Sequence, residues 1–352
     1  MNNKVVIIGG GLAGLTLGYF LQQRNIGCTI LEAAVRPGGR IQTIYGNRGT
    51  PMELGATWFS DMHQSLNELI AQLGLEKFNQ FAEGISLFQT KSFEPPQAFY
   101  VPESSAPSYR IAGGSAALIA ALAQEIGEQH IHLGTKVHRI TERPDGITVA
   151  CNNHQEFHGH MAVLCLPPQL AAASINFAPA LPESTMKVLP GVHTWMEGAV
   201  KFTIEYDHCF WREAGYSGML YSHAGIITEM YDHTSQDGKH YAFTGFLNGA
   251  AAGYTPETRK TLVIAQLRQL YGEKAGLFSF YQDKVWLDEY IGKGSLTPLR
   301  PHQHNGHPVL HEGYMGGKLF FCGTETAGKY PGYMEGAVIA ARMLAEKFFL
   351  LF

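Results

Sequence analysis

"VVIIGGGLAGLTLGYFLQQRN", residues 5–25, reads as a strand, a glycine turn and a helix. Val5 to Ile8 form an unbroken apolar run, the pattern of a parallel strand covered on both faces. Gly9, Gly11 and Gly14 follow at G-x-G-x-x-G spacing. In that arrangement the first glycine makes the tight turn and the second lets backbone approach a pyrophosphate. The third lets the helix pack closely on the strand. Ala13 lies in the first turn of the helix, whose free N–H groups and positive dipole suit phosphate. Next, "GCTILEA" (27–33) reads as a second strand ending at Glu32 and Ala33. A carboxylate there accepts hydrogen bonds from both ribose hydroxyls and disfavours a 2′-phosphate. The stretch predicts a dinucleotide site and leaves NAD and FAD both open.

The chain has 352 residues, enough for roughly two domains and a large core. Hydrophobic residues make up 45% and charged residues 16%, with a net charge of −4, so the composition is that of an ordinary globular protein. No basic block recommends nucleic acid or an anionic membrane as partner. No stretch of about 20 apolar residues predicts a membrane span, and a signal peptide is not expected. The terminal "FFLLF" is expected to finish a docked helix. Cys28, Cys151, Cys165, Cys209 and Cys322 are scattered without a C-x-x-C pair, which fits reduced thiols in a cytoplasmic protein.

Helical patterns run from Ser65 to Leu75, through "GGSAALIAALAQEIG" (113–127), and from Glu257 to Tyr271. Short strands are expected in "IHLGTKVHRITERPDGITVAC" (131–151), with a turn at Asp145-Gly146, and in "MAVLCLPP" (161–168), stopped by Pro167 and Pro168. Residues 76–108 become irregular and proline-bearing, which marks departure into a second domain. Alternating segments such as "VKFTIEY" (200–206) and "YAFTGFL" (241–247) predict antiparallel strands. The last stretch repeats the strand, loop and helix of the opening. A nucleotide-binding layer is therefore expected from both ends and the middle of the chain.

"LEAAVRPGGR" (31–40) bears on the cofactor. Gly38, Gly39 and Arg40 follow Glu32 within one short loop, which can fold over a pyrophosphate with a guanidinium beside it. Together with "GATWF" (55–59) and "FFCGTETAGKYPGYMEGAV" (320–338), this loop closely resembles the flavin-containing amine oxidases, a family of monoamine oxidases, polyamine oxidases and L-amino-acid oxidases. The resemblance covers nearly the whole chain. It implies an α/β fold in which a Rossmann-like FAD-binding domain (1–75, 109–189 and 286–352) is interleaved with a mixed α+β substrate domain. The latter (76–108 and 190–285) is built on an antiparallel sheet.

Residue by residue, the resemblance places Glu32 and Arg40 at the adenosine half and the backbone of Val137 at the adenine. Gly55, Ala56, Thr57 and Trp58 would lie along the pyrophosphate and flavin, with Gly323 and Glu325 facing the ribityl chain. Gly332 and Met334 would begin the last helix, its N–H groups aimed at the flavin pyrimidine, where charge collects on reduction. Two residues are catalytic by the same comparison. Lys201, ten residues before Trp211, would hold a water beside flavin N5. Tyr333 would stand against the flavin face and orient the substrate nitrogen. An alternating strand ordinarily turns a lysine to solvent, whereas the apolar neighbours of Lys201 favour the buried reading. Trp58 and Trp286 read equally as core aromatics or flavin contacts. At the position where monoamine oxidases tether their flavin this chain has Ser295, so FAD is expected to be non-covalent, and Leu296 replaces an aromatic wall.

The activity implied is oxidation of an amine to an imine by hydride transfer to flavin N5, with oxygen reoxidising the flavin to give hydrogen peroxide. The alternatives are an L-amino-acid oxidase, with Arg110, Arg212 or Arg300 holding the carboxylate, or a carbon-skeleton oxidase or desaturase. A binding protein that has lost its flavin is a third reading. His302, His304, His307 and His311 crowd one loop, but no Cys or carboxylate pattern accompanies them and no metal is expected.

Overall fold

Val5–Ile8 lies at the centre of a five-stranded parallel sheet. From edge to edge the order is Leu319–Phe321, Met161–Leu164, Val5–Ile8, Cys28–Leu31 and Ile131–His132. Both ends and the middle of the chain thus meet in one layer. The structure, a computed structural model, describes residues 5–287 and 299–351.

These strands are apolar throughout because both faces are covered. Val5 and Ile7 point into a core with the helices Leu12–Gln23, Ala116–Ile126 and Met334–Phe349. Val6 and Ile8 point the other way. They pack there with Ile140, Ile147 and Val149 of a four-stranded sheet ordered Glu156–Gly159, Gly146–Cys151, Val137–Arg143, Asn176–Ala178. In that sheet Arg143 pairs with Gly146, so the tight turn is Pro144-Asp145, one residue earlier than expected. Pro168 does not merely stop the preceding strand; it opens the helix Pro168–Ser174, where its missing N–H costs nothing. At the carboxyl end Phe348 is buried, but Leu350 and Leu351 are exposed, so docking ends before the last leucines. Among the described residues no helix is long and apolar enough to cross a membrane.

A seven-stranded sheet draws all its strands from residues 84–101 and 200–285. Its order is Phe278–Val285, Val200–Tyr206, Tyr241–Leu247, Ile227–Asp232, Tyr216–Ser222, Gly84–Gln89, Gln97–Val101. All neighbours are antiparallel except Tyr216–Ser222 with Gly84–Gln89. One face packs Phe202, Ile204, Tyr206, Trp211 and Phe243 against the helix Pro256–Tyr271.

The other face decides where the site is. Val200–Tyr206 alternates apolar and polar residues, yet all seven are buried. Its polar side is covered by segment 46–57 instead of water. Glu205 accepts from the N–H groups of Arg48 and Thr50, and Thr244 Oγ1 donates to the carbonyl of Glu53. Lys201 donates to Gly55 and Thr57. Hydrogen bonds on this scale are what let a polar strand face leave solvent.

Candidate active site

A cavity of about 650 Å³ runs along the carboxyl ends of the parallel strands, within the roughly 300–1,000 Å³ usual for cofactor and ligand sites. Residues from both ends of the chain line it. Gly9, Gly11, Ala13, Glu32, Ala33, Gly39 and Arg40 come from the first forty, and Gly323, Glu325, Gly332, Tyr333 and Met334 from the last. Ala56 and Val137, also expected from sequence, line it as well.

Two long helices begin at this cavity, and neither has a side-chain cap. Leu12–Gln23 starts after Gly11, and Met334–Phe349 starts after Tyr333. Their first N–H groups lack intrahelical acceptors, so each end favours a negatively charged group. The glycines show which space is reserved. A Cβ on Gly9 would sit 2.4 Å from the Cys165 carbonyl, and one on Gly14 would sit 2.0 Å from that of Gly9. These two serve internal packing. A Cβ on Gly11 would meet nothing nearer than Gly39 Cα at 3.9 Å and would project into the gap between two glycine loops.

The second loop owes its shape to a residue the sequence reading passed over. Arg36 donates to the carbonyls of Pro37, Gly39 and Ile41 and to Gln42 Oε1, stapling the turn over the first helix end. Glu32 accepts from Gly10 N–H and Ala34 N–H, both at 2.7 Å, and its carboxylate retains lone pairs for ribose hydroxyls. Arg40 Nη1 pairs with Glu325 Oε1 at 2.7 Å. Glu325 is fully buried, and its other oxygen has no hydrogen-bond partner in the protein. Paired helix ends, a glycine gap, an arginine and an unmet carboxylate oxygen fit a flavin dinucleotide laid along the cavity.

Lys201 sits under this region, 2% exposed. Its Nζ donates to the Gly55 carbonyl at 2.8 Å and to Thr57 Oγ1 at 2.6 Å. It lies over the rings of Trp58, 4.7 Å from the centroid, and Phe246, at 5.5 Å. Burial pulls its pKa down to about 7, with Glu53 opposing the fall. Glu53 was not singled out from sequence; it is buried, accepts from Ser115 N–H and Thr43 Oγ1, and is raised chiefly by desolvation.

Tyr333 is 41% exposed at the cavity mouth. Trp195 lies nearly parallel to it, centroids 6.1 Å apart and planes 25° apart, and His302 stacks on Trp195 at 4.6 Å. Trp195 fits there because Gly332 has no Cβ to displace it. Beyond Trp195 lies a second cavity of about 370 Å³, lined by His193, Glu197, Glu229 and Phe246. Neither Trp195 nor His302 stood out in the sequence as a site residue.

Gly14, Gly55, Thr57, Trp58, Trp286 and Lys201 do not border the 650 Å³ cavity. Trp58 donates to Gln80, and Trp286 to the Leu54 carbonyl. Ser295 and Leu296 lie outside the described residues. Two of the arginines considered for a carboxylate are engaged elsewhere: Arg212 grips Asp232 through two hydrogen bonds, and Arg110 bonds His233 and the Thr234 carbonyl. Arg300 is exposed. Of the loop histidines, His307 accepts from Val309 N–H. Among the described residues no cluster of metal-ligating side chains occurs.

Solved structures of the same shape include a putrescine oxidase with putrescine bound (TM-score 0.85, 18% identity, 99% of each chain). Another is the cyclohexylamine oxidase of Brevibacterium oxydans (TM-score 0.83, 22% identity, 99% of this chain and 100% of that one). By sequence the chain is 24% identical to a probable flavin-containing monoamine oxidase A of Dictyostelium discoideum, covering 95% of this chain and 94% of the relative. It is 22% identical to a flavin-containing amine oxidase A of Canis lupus familiaris, over 97% and 84%. The model of the flavin-containing amine oxidoreductases matches residues 12–95 and 84–347. A flavin cradle closed by both chain ends and a family match along almost the whole sequence agree: the chain belongs to the flavin-containing amine oxidoreductases.

Proposed function

We propose that this oxidoreductase oxidises an amine to its imine with non-covalently bound FAD and molecular oxygen, releasing hydrogen peroxide. The balance is R–CH₂–NH₂ + O₂ → R–CH=NH + H₂O₂, and water then hydrolyses the imine. Bound FAD supplies the two-electron acceptor that the protein's own side chains lack. The observation that carries this reading is the single cavity lined jointly by residues 8–13 and 323–337.

The chain's residues have separable tasks. The Leu12 helix end, Arg40 and Glu32 would hold the pyrophosphate and adenosine half. Glu325 and the Met334 helix end would hold the other half. Tyr333 and Trp195 offer flat apolar walls at the mouth, which orient a bound amine and exclude water. Lys201, held by Gly55 and Thr57, keeps a nitrogen beside the reacting region for hydrogen bonding to water. Segments 76–108 and 190–285 are proposed as the substrate domain.

The occupied Arg110 and Arg212 disfavour the amino-acid reading, since a substrate carboxylate would have to displace Asp232 from Arg212 or be met by the exposed Arg300. Glu197 and Glu229 favour instead a substrate whose far end is cationic. Diamines therefore belong in the assay beside monoamines; the putrescine-bound neighbour makes the same suggestion.

Anaerobic mixing of the yellow protein with a panel of monoamines, diamines and amino acids tests the proposal. Bleaching of the flavin by an amine, and peroxide on readmitting air, is the expected result. A spectrum left oxidised by the whole panel would overturn it. Acid precipitation should leave the yellow colour in solution; colour retained in the pellet would overturn non-covalent binding.

A further inference from the structure

Cys165 and Cys322 end two neighbouring strands of the parallel layer. Leu164 pairs with Phe321, so the cysteines stand opposite each other one step further on. Cys165 N–H donates to the Ile8 carbonyl and Cys322 N–H to that of Leu164. There the ladder stops, because the N–H of Gly323 turns to Thr326 Oγ1. Successive residues of a strand face opposite sides. Val163, Cys165, Phe320 and Cys322 belong to the core that includes the helix Leu12–Gln23, whereas Leu164 and Phe321 belong to the core on the other face. Both thiols therefore leave the sheet on the same side. Neighbouring strands run about 4.7–4.9 Å apart, inside the roughly 4.4–6.8 Å between Cα atoms that a disulfide spans.

Cys165 also lines the 650 Å³ cavity, whereas Cys322 is buried and does not border it. It lies directly beneath the glycine turn. A Cβ on Gly14 would meet Cys165 Cβ at 3.2 Å, and one on Gly9 would strike the Cys165 carbonyl. A flavin dinucleotide laid along the cavity would cover this face of Cys165. The other three thiols are placed differently. Cys28 lies across Val5–Ile8 and donates to the Gly18 carbonyl, and Cys151 belongs to the four-stranded sheet. Cys209 precedes the short helix Phe210–Glu213, and of the five cysteines it alone is partly exposed.

We propose that Cys165 and Cys322 form a flavin-guarded thiol pair, which a peroxide joins as a disulfide in the flavin-free chain and leaves reduced when the cofactor is bound. Cys165, reached through the cavity, attacks the O–O bond: Cys165–SH + H₂O₂ → Cys165–SOH + H₂O. Cys322 then displaces the hydroxyl: Cys165–SOH + Cys322–SH → Cys165–S–S–Cys322 + H₂O. Two thiols are oxidised and one peroxide is reduced to water. Burial and the neighbouring thiol hold Cys165 well above the usual thiol range, which slows the first step because the thiolate is the nucleophile. The first turn of Leu12–Gln23, packed on Cys165 at Gly14, acts the other way, since helix N-termini favour thiolate. With its partner already beside it, the sulfenic acid closes to a disulfide instead of being oxidised further. Hydrogen peroxide is also the product proposed for the reaction, so copies that have lost flavin would meet the oxidant made by copies that retain it.

This inference rests on the cavity as the flavin site and not on amine oxidation, since its test adds the oxidant as a reagent. The full-length chain, in excess FAD or after flavin removal, is kept for hours in hydrogen peroxide. It is then alkylated, digested without reduction and mapped by mass spectrometry. In the flavin-free chain the Cys165 and Cys322 peptides should appear joined, two hydrogens lighter than their sum, and dithiothreitol should part them. Excess FAD should lower that yield by about tenfold or more, while Cys209, away from the cavity, is oxidised equally in both samples. In flavin-free Cys322→Ser the sulfenic acid should persist on Cys165 and be trapped by dimedone, whereas Cys165→Ser should give no adduct on Cys322. If either variant does not fold, the joined peptide of the wild type decides alone. No joined peptide in the flavin-free chain, or the same yield with FAD bound, would overturn the proposal. So would pairing of Cys165 with Cys28, Cys151 or Cys209, which is what a loosened chain would give.

Discussion

Arg40 and Glu325 meet at 2.7 Å across the cofactor cavity, one from each end of the chain. Glu325 is fully buried and Arg40 partly exposed, so the pair is screened on one side only. Glu325→Gln removes the buried carboxylate that Arg40 meets and should destabilise the protein by about 1–3 kcal/mol. Arg40→Met removes the guanidinium proposed to meet the flavin dinucleotide and should weaken flavin binding roughly 10- to 100-fold. Urea unfolding and flavin titration of the apoprotein measure the two effects separately.

Gly11 and Gly14 give a cleaner contrast, because alanine acts on different partners. Gly14→Ala drives a methyl group into the Gly9 carbonyl and should cost about 1–3 kcal/mol of stability. Gly11→Ala clashes with nothing in the protein, so the apoprotein should unfold as the wild type does. Its methyl group nevertheless occupies the approach of the pyrophosphate, and flavin affinity should fall sharply. Equal flavin affinity in Gly11→Ala and wild type would mean that the gap is not a phosphate site.

The parallel layer was legible because its determinants are local. A four-residue apolar run, a glycine turn and an acidic strand end specify one another within thirty residues, and the closing strand and helix repeat the pattern. Lys201 was legible only in part. "VKFTIEY" has the alternation of a half-exposed strand, and nothing within it announces that segment 46–57 covers its polar side. Glu53, Arg110, Trp195 and His302 were harder still. Each acts through a partner from a distant loop, and the feature that admits Trp195 is a missing Cβ at Gly332. Arg36 carried a signal that could have been used, since a loop with two arginines around a glycine pair needs one of them to hold its carbonyls.

The depressed pKa of Lys201 has a signed consequence for stability. In the unfolded chain a lysine holds its proton to about pH 10.4, whereas here it releases it near 7. Between those values the unfolded state binds the extra proton, so stability rises with pH, by up to about 1.4 kcal/mol per pH unit. The contribution is least favourable below pH 7. Buried thiols such as Cys28, raised by desolvation, oppose the rise once unfolded cysteines ionise near 8.5. The window to measure is therefore pH 7 to 8.5. Lys201→Met should flatten the stability curve there and exceed the wild type at pH 7. A wild-type curve already flat over this window would contradict the buried lysine.

Tyr333 and Trp195 form two nearly parallel aromatic faces at the mouth, with the acidic cavity on the far side of Trp195. If the faces position the amine, shape matters more than the hydroxyl. Tyr333→Phe should keep flavin reduction within about threefold of wild type, whereas Tyr333→Ala should slow it roughly 100-fold, the scale on which lost orientation acts. Trp195→Ala opens the wall toward Glu197 and Glu229, and should raise KM for apolar monoamines more than for diamines, which retain their carboxylate partners. Glu229→Gln should do the reverse, raising KM for diamines selectively. Stopped-flow anaerobic reduction separates the orienting effect from affinity. A Trp195→Ala enzyme that loses both substrate classes equally would show that the two cavities do not divide the recognition between them.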